Sequence, residues 1–187
     1  MFKANSIFLL LLSGFFLISS SLVRPAEDNP FYEAVKSLES EGFFIKPISN
    51  CFNNNDETKI CNTNPDKYWL NFRMNVCKGN PDHSQIQAPF DQINEIHTLM
   101  IEAGEDLTEG IKPAFKVTRW LYPSPEYAEN AYNSLEQLSA ELTECIFSGP
   151  HSWWQVDDKV FLFRSPAIAF QPFFDDLLPQ LKHSLAE

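Results

Sequence analysis

From Phe115 to Tyr122 the chain alternates. Phe115, Val117, Arg119 and Leu121 fall on one side, and Lys116, Thr118, Trp120 and Tyr122 fall on the other. A period of two is the mark of a β-strand, because successive side chains point to opposite faces. Within three residues the period changes. Ser124-Pro125-Glu126 supplies a cap, a first-turn proline and an acidic group at the positive end of a helix. Tyr127, Ala131, Leu135, Leu138, Leu142 and Cys145 then follow one helical face until Gly149-Pro150 stops it.

The same grammar divides the rest of the chain. Asn29-Pro30 opens a helix carrying Phe31, Val35 and Leu38, and Gly42 is placed to end it. Phe43 to Ile48 reads as a short strand, and Ser49 to Asp66 as a polar loop. Tyr68, Leu70, Phe72, Met74 and Val76 alternate with Lys67, Asn71, Arg73 and Asn75, which predicts another strand. Phe90, Ile93, Ile96, His97, Met100 and Ile101 mark one face of a predicted helix ending at Gly104. Trp153–Val156 and Val160–Arg164 flank Asp157-Asp158 as a hairpin, with Asp-Asp less suited than Asp-Gly to a tight turn. Phe173, Phe174, Leu177, Leu178, Leu181 and Leu185 predict a final helix with Pro172 in its first turn, which Pro179 would kink or break.

That order is not the steady alternation of a parallel doubly wound sheet. It predicts an α+β fold in which an antiparallel sheet packs against helices on one face, in two layers, as a single domain over residues 30–187. The strand before Pro123-Ser124-Pro125-Glu126 and the helix ending in Cys145 loosely resemble exported sensor domains of some actinobacterial receptor kinases. These residues are general helix-start grammar, and no activity is carried over from them.

The N-terminus reads as a secretory signal. Lys3 precedes an apolar stretch from Ile7 to Val23, diluted by serines and a glycine, and Ser19 to Ser21 provide small residues for cleavage. The segment is predicted to span residues 1–21, with a cut as late as Ala26 also compatible. Its 17 residues lie at the short end of the roughly 17 to 25 that a spanning helix needs. The expected locale is therefore exported, periplasmic or secreted, with no stable membrane insertion after cleavage.

Export makes the four cysteines, Cys51, Cys61, Cys77 and Cys145, a disulfide framework with three connectivities. Cys51 and Cys61 bracket a polar loop that a bridge would order, which leaves Cys77 for Cys145. Their spacings fit no short-pair zinc pattern. Removal of residues 1–21 takes away only Lys3, leaving 13 basic against 25 acidic residues. Nucleic acid is a poor partner for such a surface, and a basic protein is an easier one.

No Gly-x-Ser-x-Gly, Walker loop, dinucleotide fingerprint or His-Glu-x-x-His run occurs. No catalytic residue, cofactor or metal site is predicted. Asn53 to Glu57 is rich in oxygen ligands but lacks the alternating spacing and central glycine of a calcium loop. Asp157-Asp158 and Asp175-Asp176 do not converge, because neighbouring residues point apart on strand and helix alike. His97, on the apolar side of its predicted helix, reads as a hydrogen-bonded core residue.

The remaining cluster is aromatic. Trp120, Tyr122, Trp153 and Trp154 belong to strands that can be neighbours, and would either present a ligand or partner platform or fill the core. Strand alternation sends Trp153 and Trp154 to opposite faces. The expected function is an exported, non-enzymatic binding or protein-interaction domain. A ligand carrier or sensor with an aromatic pocket, and a small hydrolase with a dispersed site, are the alternatives.

Overall fold

The computed structural model of the chain describes residues 30–52, 66, 69–70, 88–107, 109–143 and 149–186. The predicted signal segment, Cys61, Cys77, Cys145, Asn53–Glu57 and most of the strand predicted over 68–76 lie outside the described residues. Cys51 is described only as backbone.

Among the described residues the fold is α+β: one antiparallel five-stranded sheet with three helices. Helix α1 (Pro30–Lys36) runs on into a helical turn, Ser37–Glu41. Gly42 ends it in the left-handed region at φ 89°, where a residue lacking Cβ meets no steric penalty, and its N–H caps the Glu39 carbonyl. Strands β1 (Phe43–Phe52), β2 (Glu95–Ala103) and β3 (Ala114–Leu121) follow, then helix α2 (Pro125–Thr143). A hairpin of β4 (His151–Val156) and β5 (Lys159–Arg164) leads to helix α3 (Gln171–Ser184). The sheet order is β1-β2-β3-β5-β4.

Three expectations are corrected. Residues 95–103 form the strand β2, not a helix. Ile96, His97, Thr98 and Leu99 are all buried, because β2 lies inside the sheet and both of its faces are covered. Such a strand loses its alternation, and its apolar residues fall by accident at helical spacings. Gly104 therefore caps no helix. It donates its N–H to the Gly42 carbonyl at 2.9 Å, and a Cβ there would sit only 2.6 Å from that oxygen. Trp69 and Leu70, within the strand predicted over 68–76, have helical backbone instead.

The third correction concerns layering. Helices cover both faces of the sheet, so the domain has three layers rather than two. On one face α1 and α3 bring Phe31, Val35, Phe174, Leu177 and Leu181 onto Leu99, Ile101, Phe115, Val117, Phe161 and Phe163. On the other, Ala128, Ala131, Leu135 and Leu138 of α2 cover Ile96, Trp120, Val160 and Leu162. The pleat dictates this division, since odd-numbered positions of β2, β3 and β5 face one core and even-numbered positions the other. Each fully buried Phe or Leu contributes about 1.5–3 kcal/mol.

Two boundaries have simple causes. The β4–β5 turn is tight, with Val156 paired to Lys159, and Asp157 takes φ 51° there, a conformation that aspartate tolerates better than most residues. Helix α3 continues through Pro179 instead of breaking. Buried Phe174, Leu177 and Leu181 lie on both sides of that proline and hold the helix to the sheet.

Candidate functional site

The aromatic residues singled out from sequence lie within the two cores. Trp120, Tyr122 and Trp153 occupy the α2 face and are each at most 4% exposed. Trp120 packs between Phe90, at 5.1 Å, and Trp153, at 5.4 Å. The Tyr122 hydroxyl donates to the Pro89 carbonyl, and burial pushes its pKa well above the ordinary range. Trp154 lies on the opposite face, stacked on Phe161 at 5.2 Å with Lys182 Nζ over its ring. Three of the four thus share a face, and Trp154 is separated from them by the sheet.

A more open constellation lies at the edge of the α1–α3 core. A groove of about 210 Å³ is lined by Pro30, Phe31 and Ala34 of α1, Arg119 of β3, the β4–β5 hairpin, and Ser184, Leu185 and Ala186 at the end of α3. The sheet register creates it. Arg119 pairs with His97 on β2 and with Phe161 on β5, so it stands in the middle strand at an odd-numbered position otherwise given to Phe115 and Val117. Its guanidinium lies 5.2 Å from the centroid of Phe31. The charge is thereby drawn over an aromatic face at the groove wall.

The Arg119 charge is incompletely compensated. Its Nη2 reaches Glu95 Oε2 at 3.9 Å, but that same oxygen is held at 3.1 Å by His97 Nε2. Arg119 Nε is buried and has no hydrogen-bond partner among the described residues. Burial lowers the Arg119 pKa, opposed by Glu95 and Asp158. Lys159 adds a second positive charge to the lining, paired with Asp158 at 3.3 Å, while Asp157 contributes a carboxylate. The result is an apolar trough with a shielded cation at its base.

His97 is 4% exposed and hydrogen-bonded, the core environment expected of it, but on strand β2 rather than on the apolar side of a helix. Burial lowers its pKa more than the Glu95 hydrogen bond raises it, and nearby Arg119 lowers it further. The unfolded chain therefore binds a proton at higher pH than the folded one. The neutral-ring contribution is complete above the ordinary imidazole value of about 6.5 and is lost as pH falls toward the lowered one. Melting curves between about pH 7 and 5 are expected to show the midpoint falling with acidification, and His97→Gln to reduce that slope. Equal slopes for the two proteins would remove His97 as the cause.

A second polar cluster belongs to the other core. Arg164 donates from Nε and Nη2 to Asp66 Oδ1, at 3.1 and 3.0 Å, and lies 5.0 Å from the Trp69 ring. His151 meets Trp69 edge-on at 5.6 Å. This cluster is sealed, with Asp66 1% and Arg164 9% exposed, so it ties chain segments together more readily than it meets a ligand.

A second, acidic recess of about 360 Å³ lies where Glu41 and Phe43 meet Phe173, Asp176, Leu177 and Gln180 of α3. Comparison with models of protein families, with curated proteins and with solved structures finds no match to this chain.

Arg119 was not among the candidate residues read from sequence. Its signal was nevertheless present: it is the one charged residue on the apolar side of an otherwise regular strand.

Proposed function

We propose that this protein is an exported, non-enzymatic binding domain that holds a small ligand in the groove between α1, Arg119 and the β4–β5 hairpin. The supporting observation is the groove itself, which joins Phe31 and Phe161 to a shielded guanidinium whose Nε has no hydrogen-bond partner among the described residues. Binding sites are commonly concave and apolar with a few placed polar groups. At about 210 Å³ the groove is below the roughly 300–1,000 Å³ of drug-sized sites, which favours a ligand of a few carbon atoms. In this reading Trp120, Tyr122, Trp153 and Trp154 act as the rigid support of the sheet rather than as the contact surface.

Export rests on the N-terminal segment, with cleavage near Ser21, and it implies bridges Cys51–Cys61 and Cys77–Cys145. A second reading, capture of a basic protein, is favoured by the excess of acidic residues and by the recess at Glu41 and Asp176, which suits a lysine or arginine side chain.

Mass spectrometry of protein recovered from its own host tests both readings. Under denaturing, unreduced conditions the mass should equal a chain cut near Ser21 less four hydrogens. In the native spectrum a small discrete added mass supports the groove, and an added protein supports the second reading. An intact N-terminus with four free thiols would overturn export and the bridges.

A further inference from the structure

We infer that the ligand of this groove is a small anion with an apolar tail, such as a short-chain carboxylate, whose charged end is received by Arg119; the inference rests on the groove being a ligand seat. The chemistry follows from what surrounds the guanidinium. A buried cation is costly unless paired and hydrogen-bonded, and here the nearest carboxylate, Glu95, is shared with His97 and stands 3.9 Å from Arg119. A carboxylate or another small oxyanion can accept from Nε and a terminal nitrogen together, the planar two-point geometry that distinguishes arginine from lysine.

The walls define the other end of the ligand. Pro30 and Ala34 on α1, Val156 on β4 and Ala186 after α3 offer an accessible apolar lining to a chain of a few carbons, while Phe31, Phe161 and Leu185 are themselves buried behind it. A cationic ligand would be placed beside the Arg119 guanidinium, where like charges repel, while Lys159 is already paired with Asp158 at 3.3 Å and adds little. Asp157 also lines the groove, but it is an exposed turn residue and its charge is well screened by water. An inorganic anion alone would leave the apolar walls unused, so the tail should add affinity with each buried methylene.

The test uses the full chain and three probes of equal length: hexanoate, hexan-1-ol and hexylammonium. Binding is followed by chemical-shift changes in two-dimensional NMR spectra at low ionic strength, with acetate as the tail-less control. Hexanoate is expected to bind at least about tenfold more tightly than hexanol, a difference of about 1.4 kcal/mol, and acetate and hexylammonium more weakly than either. Shifts should centre on Phe31, Arg119, Phe161 and Leu185. Arg119→Met, checked for folding by circular dichroism, should abolish the preference for hexanoate while hexanol binding persists.

Equal affinity for hexanoate and hexanol would overturn the anion assignment and leave the groove as a neutral apolar seat. Tighter binding of hexylammonium would overturn it in favour of a cation. If no probe shifts the groove resonances, the ligand seat itself fails, and this inference with it. The comparison among probes on the unaltered protein decides the matter even if Arg119→Met does not fold.

Discussion

Truncating Trp120 to alanine is expected to lower the free energy of unfolding by about 3–5 kcal/mol. Trp120 is completely buried and contacts both Phe90 and Trp153, while its strand neighbours are Ile96 on β2 and Val160 on β5. The cavity would open at the centre of the sheet, where pairing on both sides prevents collapse. Trp120→Phe should behave differently. The indole Nε1 is buried with no hydrogen-bond partner among the described residues, so phenylalanine loses area but also removes an unsatisfied donor. A loss below about 1.5 kcal/mol is expected. Urea unfolding followed by far-UV circular dichroism avoids the altered fluorescence. Similar losses for alanine and phenylalanine would show that the donor has a partner worth keeping.

The second large effect is at the Arg164–Asp66 pair. Arg164→Met should destabilise by about 3–5 kcal/mol, because Asp66 loses its guanidinium while remaining buried. Replacing both residues, as Asp66→Leu with Arg164→Met, should recover much of that loss, since the desolvation cost of two charges disappears together. A double-mutant cycle in urea gives the coupling directly. Strict additivity of the two single losses would mean that the pair acts only through packing, with Trp69 stacking on Arg164 as the main contact.

Sequence periodicity served best where one face of an element differs from the other. Strand β3, helix α2 and the closing hairpin were legible for that reason, and so was Gly42 as a helix stop. Periodicity failed at β2, where residues 96–99 are buried whichever way they point. A strand covered on both sides carries no alternation, and Ile93, Ile96, Met100 and Ile101 then imitate a helix. Strand β1 was cut short at Ile48 because Pro47 and the polar residues after it resemble loop. Pro47 is accommodated because β1 is an edge strand, and a register shift between Pro47 and Ser49 follows directly.

Layering was illegible for a related reason. Each helix shows one apolar stripe, but nothing within a helix states which side of the sheet will receive it. The pleat decides: Trp153 and Trp154 are adjacent in sequence and support different helices. The groove was hidden similarly. Its wall comes from α1, β3, the β4–β5 turn and the end of α3, pieces brought together only by the sheet order. Arg119 alone was visible, as a charge on an apolar row.

The contact between α1 and α3 has a consequence for biosynthesis. A nascent chain that has reached only Arg164 has every strand of the described residues, yet one face of its sheet has only α1 to cover it. Phe163 would lack its stacking partner Phe174, and that face the apolar residues Leu177 and Leu181, until α3 leaves the ribosome. Full cover of that face therefore waits for the last helix of the chain, and a chain lacking it leaves apolar surface exposed.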